Sequence, residues 1–232
     1  MNHAIRPARR RIFPGLCLAL LVTAAWAGQT QAQDPLWWKL PWDARLGLSW
    51  FEARADRGDV DAQAQLGQMY ERGCGTVRDL AKALLWYEAA AGRGHAGAQY
   101  RFARLLQAGA AGAVDLSAAA RWYAAAAAQG LAPAAYHLAV MVENGQGVPR
   151  DPARAARLYE QAFAGGVAEA ALARGLLALH GAPADPVGAY LWLKRAEAAG
   201  VAQAAALAQE LGAGLDPAVR AEAEKRAAEP LR

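Results

Sequence analysis

The sequence predicts an all-α fold: a right-handed superhelical α/α solenoid of about four helix pairs, with capping helices at its N- and C-terminal ends. Three observations predict it. An aromatic or apolar pair followed at +8 by glycine recurs as Trp50-Phe51 with Gly58, Trp86-Tyr87 with Gly94, Trp122-Tyr123 with Gly130, Leu158-Tyr159 with Gly166 and Trp192-Leu193 with Gly200, at steps of 36, 36, 36 and 34 residues. Alanines keep the same register: Ala83, Ala119, Ala155 and Ala189 stand three before the pair, and Ala62, Ala98, Ala134 and Ala170 four after the glycine. Within each unit apolar residues recur at three and four positions, and the alanine-rich composition favours helix. Small side chains let helix axes approach closely while the aromatic pair fills the gap to the next unit, so a lone helix pair has nothing to bury that face against and stacking is required.

Taken in order, residues 1–32 read as a secretory signal peptide. Arg6, Arg9, Arg10 and Arg11 precede an uncharged run from Ile12 to Ala27, and Ala25-Trp26-Ala27 or Thr30-Gln31-Ala32 supplies the cleavage triplet, placing the cut after 27 or 32. The run has 16 residues, short of the roughly 20 that a spanning helix needs, so no stable membrane span is expected after cleavage. Arg10-Arg11-Ile12-Phe13 resembles the twin-arginine export pattern, and an ordinary basic leader accounts for the same residues. Either route leads to the bacterial periplasm, or beyond it to secretion. Cys17 lies inside the apolar run rather than after it, which does not match a lipid-modified cysteine; the mature chain then keeps Cys74 alone and forms no internal disulfide.

Residues 33–43 form an aromatic lead-in carrying Trp37, Trp38, Pro41 and Trp42, either a lid over the first helices or a docking patch. Residues 44–58 are an N-terminal half repeat, and 59–94, 95–130, 131–166 and 167–200 are repeats one to four. In each repeat the second helix starts at an aspartate, Asp79, Asp115, Asp151 or Asp185, able to accept from unpaired backbone N–H groups, with Pro152 and Pro186 at the following position. Repeat one thus spans helices from Asp59 to Glu71 and from Asp79 to Arg93. The glycines at 58, 94, 130, 166 and 200 end helices in the left-handed conformation. Residues 201–232 are capping helices: Leu215-Asp216-Pro217 starts the last one, and Arg220, Glu222, Glu224, Lys225, Arg226 and Glu229 give it a polar face.

The run Asp61-Ala-Gln-Ala-Gln-Leu66-Gly67-x-x-Tyr70-x-x-Gly73-x-Gly75-x-Val77-x-Asp79, followed by Lys82-Ala83-x-x-Trp86-Tyr87-x-x-Ala90, resembles the Sel-one-like repeat, a relative of the tetratricopeptide repeat with a longer glycine-containing loop. Unit three repeats that loop as Gly145-Gln-Gly147-Val148 before Asp151. Units two and four depart from it. Gly109-Ala-Ala-Gly112 replaces the spaced glycines, Arg174 occupies the column of Leu66, Phe102 and Leu138, and unit four is shorter by two residues between Gly181 and Asp185. The resemblance implies an adaptor or scaffold in the bacterial envelope whose partner is another protein. It also implies that first helices line a concave face, where the non-repeating positions Gln65, Gln68, Arg101, Arg104, His137 and Glu143 are the candidate partner-binding residues; Trp37, Trp38 and Trp42 are a candidate secondary patch.

Composition narrows the alternatives. With 55% hydrophobic and 20% charged residues the chain has a core to build and is not a disordered polymer. The net charge of +4 comes entirely from the four leader arginines; beyond residue 32, 21 basic residues face 21 acidic ones, which does not suit a nucleic-acid partner. Beyond residue 32 the histidines are His95, His137 and His180, and the nucleophiles besides tyrosine are Ser49, Ser117, Thr76 and Cys74. Ser117 falls just inside a helix start and Ser49 beside a packing tryptophan, away from any base, so no triad is expected. The histidine spacing drifts along successive helices and suits no zinc cluster. No cofactor is expected. Glu71 and Glu143 share a repeat column and are the only pair offered for carboxylate chemistry, two units apart. The expected function is that of an exported, non-catalytic interaction protein; the alternative is an envelope glycan-binding or glycan-processing protein.

Overall fold

The computed structural model describes residues 44–110, 112–181 and 183–229. The leader at 1–32 and the aromatic lead-in with Trp37, Trp38 and Trp42 lie outside the described residues. Among those described, 11 α-helices follow one another without a strand. We number them α1 (Ala44–Ala55), α2 (Val60–Arg72), α3 (Leu80–Gly92), α4 (Ala96–Gln107), α5 (Leu116–Ala128), α6 (Ala132–Asn144), α7 (Pro152–Ala164), α8 (Glu169–His180), α9 (Pro186–Ala198), α10 (Ala202–Ala213) and α11 (Pro217–Ala228). The all-α helix-pair architecture expected from the sequence is the one observed.

The helix boundaries have the chemistry the spacing implies. Asp59, Asp79, Asp115, Asp151, Asp185 and Asp216 each accept from a backbone N–H two or three residues on, at 2.8–3.0 Å, each worth about 1 kcal/mol as a cap. Pro152, Pro186 and Pro217 open their helices, where no donor is lost. Gly58, Gly94, Gly130, Gly166 and Gly200 have φ of 85–94°. The residue after each donates to the carbonyl five positions before it, Asp59 to Arg54, His95 to Ala90, Leu131 to Ala126, Val167 to Ala162 and Val201 to Ala196, at 3.0–3.2 Å. That repeated reversal satisfies helix-end carbonyls and sends the chain back antiparallel. One cap is not legible from the aspartate pattern: His95 Nδ1 accepts from the Ala98 N–H at 3.0 Å, which occupies this imidazole structurally.

Two compact units divide the chain at residues 86 and 87, inside α3. In the first, α1 packs on α2; Tyr70 donates to Glu52 Oε1 at 2.9 Å, and Arg54 pairs with Asp59. In the second, each helix from α4 to α9 packs on the next, and α11 lies on α9. The alanine columns at 83, 119, 155, 189 and at 62, 98, 134, 170 are buried throughout. In the three middle pairs the members are not equivalent: Tyr87, Tyr123 and Tyr159 are fully buried, whereas Trp86, Trp122 and Leu158 are only half-buried; Trp50 and Phe51 are both half-buried, and Trp192 and Leu193 are both buried. The tyrosines are therefore the anchors of the stack. Gly147 shows how tightly neighbouring units meet: a Cβ there would fall 2.4 Å from the Leu116 carbonyl, and Ser117 Oγ donates to the Gly147 carbonyl at 3.1 Å.

Candidate functional site

The first helices of the second unit carry an aromatic strip. Tyr100 and Arg104 stand one turn apart on α4, and Tyr136, His137 and Glu143 lie on α6. The Tyr100 hydroxyl is 3.3 Å from His137 Nε2, and the His137 ring stacks on buried Tyr123 at 5.3 Å with an interplanar angle of 9°. Tyr136 touches His137 at 5.8 Å and Tyr159 at 5.8 Å, ring centre to ring centre. The Arg104 guanidinium sits 5.9 Å from the Tyr100 ring, within the range where a cation is drawn to an aromatic face.

The strip rests on hydrogen bonds from below. Tyr123 donates to Gln107 Oε1 at 2.9 Å and Tyr159 to Glu143 Oε2 at 2.6 Å, each across 16 residues. Burial raises both phenols well above their ordinary 10.0, with Glu143 adding to the effect at Tyr159; they stay neutral donors at physiological pH. Burial, joined by the Arg104 cation, holds the His137 imidazole below its ordinary 6.5, so it is neutral near pH 7. The strip therefore presents aromatic rings and Arg104, with Glu143 fixed at its edge.

The structure thus brings together three of the residues singled out from the sequence. Arg104 and His137 meet through Tyr100, and Glu143 joins them through Tyr159 and Tyr136. Arg101 is half-buried on α4, beside them in sequence. Gln65 is exposed and Gln68 half-buried on α2 of the first unit. Sequence reasoning passed over Tyr100 and Tyr136 themselves. Their signal is a repeat column of its own, two residues after Ala98 and Ala134, with Ala64 and Leu172 at the same place in units one and four.

For catalysis the geometry offers little. Ser117 is engaged with the Gly147 carbonyl, Cys74 is buried, and Glu143 is held by Tyr159. The main-chain carbonyls of Glu71 and Glu143 accept from Arg78 and Arg150 Nε at 3.1 and 3.0 Å, an identical loop clamp in units one and three. Among the described residues no three His, Cys, Asp or Glu side chains converge as metal ligands, and no helix is long and apolar enough to cross a membrane.

Comparison with known proteins places the repeats in context. The Sel1 repeat model matches residues 60–95, 96–131, 132–167 and 166–201. No curated protein matches the chain. Among solved structures, a Sel1 repeat protein from Oxalobacter formigenes is similar over 81% of this chain and 80% of its own, with 22% identity and a TM-score of 0.68, a likeness of fold. A protective antigen of uropathogenic Escherichia coli with an SLR fold aligns over 81% of this chain and 57% of its own at 18% identity and TM-score 0.43. An immunity protein of Pseudomonas aeruginosa aligns over 98% and 87% at 15% identity and TM-score 0.45.

Proposed function

Because the chain belongs to the Sel1 repeat family, whose model spans residues 60–201, we propose that it is an exported, non-catalytic adaptor that docks another envelope protein on its first helices. The observation that carries this reading is the strip of Tyr100, Tyr136 and His137 with Arg104 beside it. Half-exposed tyrosines held rigid by packing, next to an exposed arginine, are the residue types that dominate protein recognition, since they offer large contact area at low entropic cost. An acidic side chain flanked by an apolar one is the partner chemistry that fits. Export rests on the arginine-headed apolar run at the N-terminus and on the neutral charge balance beyond it.

Crosslinking in the bacterial envelope followed by mass spectrometry tests this. A specific protein is expected with the wild type and is expected to be lost on the double charge reversal Arg101→Glu with Arg104→Glu. Retention of the same partner by that variant contradicts the assigned face. Saturable binding to an envelope polysaccharide, with no protein partner, replaces the adaptor reading by the glycan-binding one.

A further inference from the structure

A second site lies away from the strip, where α7, α8 and α9 meet the end of α11. The column that holds Leu66, Phe102 and Leu138 holds Arg174 in unit four. In unit two Phe102 packs edge-on to Trp122 with ring centres 5.6 Å apart. In unit four the corresponding pair is Arg174 and Trp192, the guanidinium carbon 5.7 Å from the ring centre, with Arg195 4.7 Å from the same ring. Arg174 and Arg195, with Arg226, Glu160, Asp185 and Trp192, line a cavity of about 440 Å³.

The charges there are formally balanced, so what matters is which groups are already engaged. Glu160 Oε1 accepts from Arg174 Nε at 3.0 Å, and Asp185 Oδ1 caps α9 through the Gly188 N–H at 2.8 Å. Arg195 Nη2 donates to the carbonyls of Arg226 and Glu229 at 3.1 and 3.2 Å, closing the end of α11. The Nη atoms of Arg174 have no partner among the described residues, and neither does the Arg226 side chain. Glu229 remains as a carboxylate on the rim. Stacking alone gives no reason for a cation in a column that is apolar in every other unit, and a local rule broken without structural need is where function is expected.

We propose that this cavity binds a peptide carboxylate, held by the free guanidinium edges of Arg174, which lies over the Trp192 ring, and of Arg226 on the cavity wall. A guanidinium fork matches a carboxylate with two parallel hydrogen bonds, and the ring beneath keeps the fork flat and partly dehydrated. The site uses none of the residues of the first-helix strip, so it stands whether or not the strip is the docking face.

The carboxylate comes from an acidic side chain or from a chain terminus, and calorimetric titration of the full chain distinguishes them. Three probes are used: acetyl-Ala-Glu-Ala-Glu-Ala-amide, acetyl-pentaalanine with a free terminal carboxylate, and acetyl-Ala-Gln-Ala-Gln-Ala-amide as neutral control. At least one carboxylate peptide is expected to bind saturably and about tenfold or more tighter than the control; the tighter of the two names the source. Arg226→Glu at its exposed position, and Arg174→Leu, which restores the residue of units one and three, are each expected to weaken binding by about tenfold or more. Arg174→Leu is also expected to melt no lower than wild type, because an apolar residue in a part-buried ion-pair position is neutral or stabilising. Absence of binding by both carboxylate peptides, equal binding of the control, or affinity unchanged in the two variants overturns the proposal. So does a lower melting temperature for Arg174→Leu, which makes Arg174 a structural residue.

Discussion

Tyr159 reaches back 16 residues to donate a 2.6 Å hydrogen bond to Glu143 Oε2, and in the preceding unit Tyr123 makes the same reach to Gln107 at 2.9 Å. The same geometry therefore carries a charged acceptor in one unit and a neutral one in the other. A hydrogen bond to a charged group is worth more, about 1.5–3 kcal/mol against about 1 kcal/mol for a neutral pair. Tyr159→Phe is expected to cost more stability than Tyr123→Phe in urea titrations of the two variants. Equal losses, or the reverse order, show that the carboxylate contributes nothing beyond the amide.

His137 is expected to make the fold acid-sensitive. Its pKa is below 6.5 in the folded chain, through burial and then through Arg104, so the unfolded chain binds the proton more readily and stability falls as pH drops below 6.5. His137→Gln is expected to flatten that part of the curve of melting temperature against pH. An unchanged slope in this variant assigns the acid sensitivity elsewhere.

At the alkaline end the tyrosines govern. Tyr190 donates to Glu224 Oε1 at 2.6 Å, tying α9 to α11, and burial with that hydrogen bond pushes its pKa from 10.0 up to about 12. A raised folded-state pKa gives stability that is fully present below pH 10 and lost as pH climbs through the folded value. Tyr190→Phe is expected to lower stability at pH 8 and to shrink the loss between pH 10 and pH 12. A wild-type chain whose stability stays flat across that window contradicts this.

Gln161 is exposed on α7 yet donates through Nε2 to the Ala127 carbonyl at 2.8 Å. In earlier units the matching helix-end carbonyls, Ala55 and Ala91, are served by buried Gln63 and Gln99 at 3.1 and 3.2 Å. Unit three has Ala135 in that column, and Gln161 takes over the duty from the neighbouring helix. Gln161→Ala is expected to cost about 1 kcal/mol by denaturant titration, more than an exposed substitution ordinarily does, because it removes the second donor of a helix-end carbonyl that then keeps only its backbone bond from the Gly130 N–H. A change within about 0.5 kcal/mol shows that water serves the carbonyl equally well.

Repeat arithmetic made the helix pairs, their aspartate caps and their glycine ends legible, because each is a one-residue signal tied to a fixed position in a 36-residue period. Arg104 and His137 stand out as residues that vary from unit to unit, and Glu143 as a carboxylate that recurs only at Glu71. Tyr100 and Tyr136 do not stand out, since an aromatic keeps that column for just two units. The exchange of Gln99 for Gln161 was out of reach as well: the donor moves to another helix while the acceptor column stays put, and no spacing within one unit records that. Arg174 showed in the sequence as a flaw in unit four, but its stacking on Trp192 depends on how three helices converge.

The most direct test of the recognition face places a photo-crosslinking residue at position 104, at position 136, or at the exposed position 154 on α7, and maps what each captures in the envelope. The expected result is one protein crosslinked from 104 and 136 and not from 154. Capture from 154 alone, or from none of the three, contradicts a partner docked on the first helices.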